Sequence, residues 1–205
     1  MMKNNQTAAY AQLYKAFCEI ENMPYPEWEA FIDRSEIVQL GQFDFFAMPN
    51  CLSTHSYFII KGLVVSYREH NKEKSVHWVG SANDYVCSTD RFRIAFNEQY
   101  QIEGEIIVAV EETIAIRVTH SDMKWLEEHC AVFKRRTDVY VKQNFKLFLE
   151  LDDIFIMPPK ERYEKMQRAV NFGIERIPDV YLASWLCLTL GQLKKVRAFL
   201  KSYKG

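Results

Sequence analysis

The chain has 205 residues, of which 48% are hydrophobic and 26% charged, and its formal net charge is −1. This composition is typical of a globular protein that buries more than one core, and it argues against a disordered chain or a membrane protein. The longest apolar runs are far too short to cross a bilayer. Because the N-terminus also lacks the apolar segment of a signal peptide, we expect a cytoplasmic protein without a membrane partner.

The two parts of the chain differ in charge. Residues 1–157 contain 16 basic and 23 acidic residues and so carry −7, whereas residues 158–205 contain 10 basic and 4 acidic residues and carry +6. A basic module attached to an acidic body is typical of nucleic-acid-binding proteins. The change of sign predicts a domain boundary near Pro158-Pro159.

Neither metal binding nor catalysis is indicated by the sequence. The five cysteines are scattered without a Cys-x-x-Cys pair, and the five histidines lack metal-ligand spacing. We therefore expect reduced thiols, no metal and no cofactor. Since no Ser/His/Asp arrangement, paired carboxylate or glycine-rich phosphate loop is present, no catalytic residue is assigned and no enzyme is expected.

Short helices followed by many strands are predicted in the first part of the chain. Helical spacing covers residues 7–20, and a second helix starts at Pro26 and continues to Ile32. The period then changes to two, which predicts the strands Glu36–Leu40, Phe43–Met48, Ser56–His70, Lys74–Val79, Tyr100–Val110 and Thr113–Val118.

These strands have no helices between them, which predicts an antiparallel β-roll of about 85 residues. His70-Asn-Lys72 is typical of a hairpin turn. Gly62 lies where a turn or bulge needs positive φ or a close approach.

A long helix is predicted from Ala131 to about Ile156. A heptad pattern within it predicts the seam of a two-stranded coiled coil, and hence a dimer interface. The predicted seam residues are Phe133, Thr137, Tyr140, Asn144, Leu147, Leu151 and Ile154. The alternative is a helix that lies on its own domain without a partner.

Two helices joined by a tight turn are predicted near the C-terminus, after a helix at Lys160–Val170. The first helix begins at Pro178, and Cys187 falls at the turn. Thr189-Leu-Gly-Gln192 has the pattern of a capping box that opens the second helix. An apolar stripe then follows at Leu193, Val196 and Leu200.

This arrangement predicts either a helix-turn-helix that enters a DNA major groove or an ordinary helical hairpin. In the first case the second helix supplies the DNA contacts. The candidate DNA-binding residues are Thr189, Gln192, Lys194, Lys195, Arg197 and Lys201.

The order of the elements and several short motifs together resemble the Crp/Fnr family of bacterial transcription regulators. The motifs are Phe58-Ile-Ile-Lys-Gly-Leu-Val64, Val110-Glu-Glu-Thr113, Pro159-Lys-Glu-Arg-Tyr163, Arg176-Ile-Pro178 and Leu182-Ala-Ser184. The resemblance extends over essentially the whole chain. It implies an α+β protein with a jelly-roll-like effector domain and N-terminal helices at 1–130, a dimerisation helix at 131–157, and a winged-helix-like helix-turn-helix domain at 158–205.

The resemblance also implies a function. Family members are homodimers that bind palindromic DNA and carry an effector pocket in each β-roll, and RNA polymerase is a further candidate partner. The alternative is a ligand-sensing or scaffold protein of the same architecture that has lost sequence-specific operator recognition.

The effector region departs from the family pattern. Members that bind cyclic nucleotide hold its phosphate with a Gly-Glu helix and an Arg-Ser/Thr pair, whereas the matching stretch 83–99 has no glycine, and no arginine lies between Arg93 and Arg117. A buried phosphodiester would lose its strongest charge-assisted bonds, so cyclic AMP is not the expected ligand. A ligand would have to use Ser88, Thr89, Arg91 or Arg93, and a ligand-free roll filled with aromatic residues is the alternative.

The recognition helix also departs from the family pattern. Members usually carry Arg or Pro and then Glu at the positions of Leu190 and Gly191, and Arg at that of Lys195. Leu190 and Gly191 cannot hydrogen-bond a base edge through a side chain, and Lys195 lacks the bidentate geometry of arginine. The sequence therefore predicts salt-sensitive DNA binding with weak sequence selectivity.

Overall fold

The structure is a computed structural model that describes residues 2–19, 21–48, 54–88 and 104–202. Its α-helices are α1 (Met2–Cys18), α2 (Tyr25–Asp33), α3 (His120–His129), α4 (Ala131–Leu151), α5 (Pro159–Ala169), α6 (Asp179–Trp185) and α7 (Leu190–Ser202). Two 3-10 helices lie at Asp152–Ile156 and Ile174–Arg176. In the part of the chain that the structure describes, no helix is long and apolar enough to cross a membrane.

The strands form two antiparallel four-stranded sheets. They are β1 (Ser35–Leu40), β2 (Phe45–Ala47), β3 (His55–Lys61), β4 (Leu63–His70), β5 (Glu73–Ser81), β6 (Tyr85–Cys87), β7 (Ile106–Ala109) and β8 (Thr113–Thr119). The first sheet has the order β1-β8-β3-β6 and the second the order β2-β7-β4-β5. The predicted antiparallel β-roll is thereby confirmed.

Gly62 divides the single strand predicted at Ser56–His70 into β3 and β4, which belong to different sheets. Its φ is 107°, and a Cβ there would lie 2.3 Å from Thr113 Oγ1 and 2.8 Å from the Glu112 carbonyl oxygen. Only glycine tolerates both this backbone conformation and this crowding. The chain therefore passes from one sheet to the other at this residue.

The hairpin between β4 and β5 has the predicted turn. Asn71 and Lys72 have φ values of 50° and 66°, as the two central residues of a type I′ turn require. β5 is one of the two edge strands of its sheet. The short strand β6 is not predicted by the sequence pattern, because three residues are too few to show a period of two.

An aromatic cluster joins the N-terminal helices, the first sheet and α4. Phe17 of α1, Phe31 of α2, Phe58 of β3 and Phe133 of α4 are fully buried, with ring centroids 5.4–6.3 Å apart. Tyr140 packs on the same cluster, 6.1 Å from the Phe17 ring. The N-terminal part of α4 is thus covered by the chain's own side chains.

This packing places part of the predicted coiled-coil seam in the chain's own core. Phe133 and Tyr140 are buried against the roll and the N-terminal helices, and Ile154 is buried with the C-terminal helices. Thr137 is also buried. The side chains of Asn144, Leu147 and Leu151 are not among those that the structure describes. A heptad stripe marks the covered face of a helix, but it does not tell whether the cover is a partner or the same chain.

Among the described side chains of α4, the exposed apolar ones lie outside the predicted seam positions. Val141 and Leu149 are exposed, as is Ile156 in the 3-10 helix that follows. The regular α-helix ends at Leu151, five residues before the predicted end.

The C-terminal helices share one hydrophobic core with the second sheet. Leu63, Val65 and Val79 of the sheet belong to the same buried cluster as Leu182 of α6 and Leu193 of α7. Within the described residues 159–202 no strand is found, so the winged part of the predicted C-terminal domain is not confirmed.

Candidate nucleic-acid interface

A Schellman motif ends α6 and forms the turn before α7. Cys187 has a φ of 51°, its N–H donates to the Ser184 carbonyl at 2.9 Å, and the Leu188 N–H donates to the Ala183 carbonyl at 2.8 Å. Leu188 is buried beneath the turn. The tight turn predicted at Cys187 is confirmed.

The predicted capping box opens α7. The Thr189 N–H donates to Gln192 Oε1 at 2.8 Å, and the Gln192 N–H donates to Thr189 Oγ1 at 3.2 Å. These reciprocal bonds satisfy two donors that a helix start leaves without partners. They also fix the direction in which the first turn of α7 points.

The two faces of α7 differ in chemistry. Leu193 and Val196 are buried and Leu200 packs against the same core, as the apolar stripe predicts. Five of the six candidate DNA-binding residues lie on the exposed face: Thr189, Gln192, Lys194, Lys195 and Lys201.

Arg197, the sixth candidate DNA-binding residue, is bonded within the chain. Its Nη1 forms an ion pair with Asp179 Oδ1 in the first turn of α6, and its Nη2 is buried. The guanidinium therefore ties α7 to α6. The spacing of 18 residues between the partners hides this pair from any local sequence pattern.

Arg162 of α5 donates hydrogen bonds to the turn between α6 and α7, a role that the sequence does not predict. Its Nε donates to the Met157 carbonyl at 2.7 Å, and its Nη1 donates to the carbonyls of Cys187 at 2.8 Å and Leu186 at 3.2 Å. One side chain thus connects the segment before α5 with the turn between α6 and α7. The connection fixes the position of α7 relative to the end of the central helix.

No protein-family model matches the chain, and no curated protein matches it by sequence. Solved structures match over most of its length. The c-di-GMP responsive global regulator CLP of Xanthomonas campestris has a TM-score of 0.64 at 13% identity, covering 88% of this chain and 93% of its own. A protein of the Crp/Fnr family from Eubacterium rectale has a TM-score of 0.65 at 12% identity, with coverages of 92% and 88%.

A third match is a cyclic nucleotide-binding domain containing protein from Listeria monocytogenes. Its TM-score is 0.64 at 13% identity, and the match covers 87% of this chain and 86% of that one. The chain has the Crp/Fnr fold. At identities of 12–13% the similarity is one of fold, so function has to be argued from the residues.

Within this Crp/Fnr fold, α6 is docked on the edge strand β5 of the roll. Ser184 Oγ donates to the Lys74 carbonyl and accepts from the Val76 N–H. The Tyr181 ring packs on the Tyr67 ring at 5.3 Å, and Lys74 Nζ lies 4.2 Å from the Tyr67 ring centroid. Helix α6 is therefore held on the roll by polar and aromatic contacts as well as by the shared core.

A bidentate ion pair adds a second attachment. Arg176 Nε and Nη2 donate to the two carboxylate oxygens of Glu111 at 2.9 and 2.6 Å. These bonds hold the pKa of Glu111 below its usual value and raise that of Arg176. Glu111 belongs to the loop between β7 and β8, so the pair links the roll to the segment that precedes α6.

The interior of the roll contains a buried carboxylate that sequence reasoning missed. Glu105 is only 1% exposed and accepts hydrogen bonds from Ser66 Oγ, from Ser88 Oγ at 2.9 Å and from Trp78 Nε1 at 3.2 Å. Ser88, a candidate ligand-binding residue, is thus used to hold this carboxylate.

The other three candidate ligand-binding residues are Thr89, Arg91 and Arg93, which lie outside the described residues. Across the described ranges 2–19, 21–48, 54–88 and 104–202, no group of three His, Cys, Asp or Glu side chains is placed to hold a metal ion.

Proposed function

We propose that the chain is a DNA-binding transcription regulator of the Crp/Fnr type that acts as a homodimer in the cytoplasm and has no enzymatic activity. The observation that carries the proposal is the capped helix α7, whose charged exposed residues are all cations. Residues 180–205 contain no Asp or Glu, so no acidic side chain of α7 repels a polyanion.

DNA contact is assigned to the exposed face of α7. Lys194, Lys195 and Lys201 supply cations for phosphates, and the Gln192 side chain retains its amide N–H groups after capping. Arg197 takes a different role from the one first expected, because its ion pair with Asp179 orients α7. Phosphate contacts of this kind give affinity that falls steeply with salt.

Dimerisation is assigned to the exposed face of α4 that carries Val141 and Leu149. These apolar side chains are accessible on a long helix, and Ile156, which is 86% exposed, extends the surface. Covering them with a second copy removes apolar area from water. Two copies of α7 in one dimer then contact two half-sites, and RNA polymerase is a further candidate partner of the DNA-bound dimer.

Cyclic AMP is not the proposed effector. Its phosphodiester would have to lie inside a roll where Glu105 places a buried carboxylate and where Ser88 is already bonded to that carboxylate. The Ser88 hydroxyl has a single proton and already donates it to Glu105, so it adds no donor for a phosphate oxygen. We propose no cofactor and leave the effector unassigned.

DNA binding is tested by fluorescence anisotropy of the full chain with duplexes recovered from random sequence by selection. We expect binding at about 50 mM salt and a steep loss towards 200 mM. The double substitution Lys194→Ala with Lys195→Ala should weaken binding and flatten the salt slope by about one to two units. Lys124→Ala, at an exposed position on α3, is the matched control. The absence of binding at about 50 mM salt would overturn the proposal.

The dimer is tested by sedimentation of the wild type and of Leu149→Glu. A charge on the covered surface should convert the dimer to a monomer, because an unpaired buried charge is costly. Lys124→Ala should sediment like the wild type. A wild-type monomer at micromolar concentrations, or a Leu149→Glu variant that still forms the dimer, would contradict the assigned surface.

The effector proposal is tested by thermal unfolding with cyclic AMP at about 1 mM. A ligand that binds the folded state raises Tm by mass action, so we expect no shift. A rise in Tm with cyclic AMP, absent with adenosine, would show that this part of the proposal is wrong.

A further inference from the structure

The first turn of α7 presents an apolar side chain and a glycine to solvent. Leu190 is 46% exposed, and Gly191 beside it is exposed as well. The buried stripe of the helix begins only at Leu193. Packing in the core of the folded chain therefore does not explain why leucine and glycine occupy these two positions.

The polar groups of the same turn are largely used within the chain. Thr189 Oγ1 accepts from the Gln192 N–H, and Gln192 Oε1 accepts from the Thr189 N–H. The capping box holds the turn rigid and directs Leu190 outward. Leu190 is thus the main side chain that this turn presents for contact.

Packing within the chain does not require glycine at position 191. A Cβ there would meet only Thr189 Oγ1, at the ordinary contact distance of 3.9 Å. Gly191 is also absent from the residues with positive φ, and glycine disfavours a helix relative to alanine. Because glycine has no side chain, another molecule can approach the helix backbone closely at this position.

The residues around Leu190 and Gly191 are cationic, which indicates a negatively charged partner. Lys194 and Lys195 lie on the next turn and are exposed. An apolar peptide would gain nothing from these charges, whereas duplex DNA offers phosphates to them. In the major groove, the C5-methyl group of thymine is the apolar group by which a base is recognised.

We infer that Leu190 is a specificity-determining residue that packs on the C5-methyl group of thymine, and that Gly191 lets the first turn of α7 sit close to the base edges. This inference rests on the proposed DNA-binding function and adds the kind of base that is recognised. It replaces hydrogen-bonded recognition at this turn by apolar contact, which Lys194 and Lys195 support through phosphate contacts.

The experiment uses the full chain and a duplex recovered by selection from random sequence. Each thymine is replaced in turn by deoxyuridine, which removes the C5-methyl group and keeps every hydrogen-bonding group. The wild type should lose about fourfold in affinity at one or two positions of each half-site, the effect of one buried methyl group. Leu190→Ala should bind the thymine and deoxyuridine duplexes equally at those positions.

Phe199→Ala is the matched control. Phe199 is apolar, lies on the same helix and is 42% exposed, but it is in the last turns, beside Lys160. This variant should keep the wild-type preference for thymine over deoxyuridine. A general loss of helix stability would affect both variants, whereas loss of a methyl contact affects only Leu190→Ala.

Gly191→Ala distinguishes an effect on DNA binding from an effect on folding, because the two are expected to change in opposite directions. Alanine fits the available space and favours the helix, so Tm should rise by about 2–4 °C. DNA affinity should nevertheless fall severalfold, because the added methyl group stands between α7 and the base edges. Unchanged or tighter DNA binding by this variant would overturn the role given to Gly191.

The inference fails if deoxyuridine has no effect at any position, or if its effect persists in Leu190→Ala. Such a result would leave the proposed function intact, since the wild type would still bind the duplex. Failure of the proposed function is recognised differently, as the absence of binding to any duplex at about 50 mM salt, and it would overturn both.

Discussion

Ser184 Oγ donates a hydrogen bond to the carbonyl oxygen of Lys74 at 2.5 Å, which joins helix α6 to the edge strand of the roll. The same oxygen accepts from the Val76 N–H at 3.1 Å. Edge strands present backbone groups that have no neighbouring strand. One hydroxyl group therefore satisfies two such groups of β5 and fixes α6 on the sheet at the same time.

Ser184→Ala should lower the free energy of unfolding by about 1 kcal/mol, because it leaves one donor and one acceptor of β5 without a partner in a partly buried site. Urea denaturation followed by circular dichroism measures the change. Ser202→Ala is the matched control, since Ser202 Oγ donates only to the Phe199 carbonyl in an exposed position. Equal stability of the Ser184 and Ser202 variants would show that the bridge to β5 contributes nothing.

The parts of the site that the sequence predicts depend on residues close together in the chain. The cap of α7 involves Thr189 and Gln192, three positions apart, and the turn requires only local backbone geometry at Cys187. The ion pair of Arg197 with Asp179 depends on how two helices cross, which no local period encodes. Among the six predicted DNA-contacting residues, Arg197 is the one that lies off the exposed face of α7.

Arg162→Lys should destabilise the C-terminal helices. The guanidinium reaches the Met157 carbonyl with one nitrogen and the Cys187 carbonyl with another, whereas a single ammonium group cannot span both. We expect a loss of about 1–2 kcal/mol in the free energy of unfolding, since charge-assisted bonds to partly buried carbonyls are lost.

Arg168→Lys provides the comparison for this substitution. Arg168 lies on the same helix, but its Nε donates only to the Glu164 carbonyl, four residues away and exposed. Urea denaturation of the two variants should differ by about 1 kcal/mol or more. If Arg162→Lys is as stable as Arg168→Lys, the contacts of Arg162 to the turn are not important for stability.

The sequence predicts the strands and hairpins of the roll better than it predicts the contacts in the interior of the roll. Alternation of apolar residues identifies strands and turn residues identify hairpins, so the antiparallel roll follows from local patterns. The carboxylate of Glu105 meets Ser66 and Ser88 only after sheets from distant parts of the chain close on each other. Its burial has no counterpart in the sequence pattern, since a glutamate side chain is ordinarily expected to be exposed.

The seam of α4 shows the same limit. The heptad spacing of Phe133 and Tyr140 correctly indicates a buried stripe, and the structure covers it with Phe17 and Phe58. A stripe is a property of one helix, whereas its cover depends on which surfaces the rest of the chain brings to it. Val141 and Leu149 could be proposed as the dimer surface only once it was known which face of α4 the chain itself covers.

Cys187→Gly should stabilise the protein. The left-handed conformation of Cys187 costs a residue with a side chain about 1–2 kcal/mol, and glycine avoids this cost at the expense of about 0.4–1 kcal/mol of added chain entropy in the unfolded state. We expect a net gain of about 0.5–1 kcal/mol in the free energy of unfolding. Cys187→Ala keeps the Cβ and should show no such gain, so equal denaturation midpoints for the two variants would contradict backbone strain at this turn.

Tyr140 should make stability fall at alkaline pH. Burial in the aromatic cluster beside Phe17 and Phe58 raises the pKa of its phenol to about 12. In the unfolded chain the phenol ionises near pH 10, so between pH 10 and 12 unfolding releases a proton. The stabilising contribution is therefore complete below pH 10 and is lost as pH rises to 12, by up to about 2.7 kcal/mol.

Tyr140→Phe removes the phenol and with it this dependence on pH. Urea denaturation at a series of pH values measures the free energy of unfolding. Between pH 10 and 12, the value for the variant should rise relative to that of the wild type by about 1.4 kcal/mol per pH unit. Tyr25→Phe, at an exposed position, should follow the wild type and so corrects for the other groups that ionise in this range. Parallel pH profiles for the wild type and Tyr140→Phe would mean that the Tyr140 phenol ionises as readily in the folded chain as in the unfolded one, which requires that water reach the cluster between α4 and the roll.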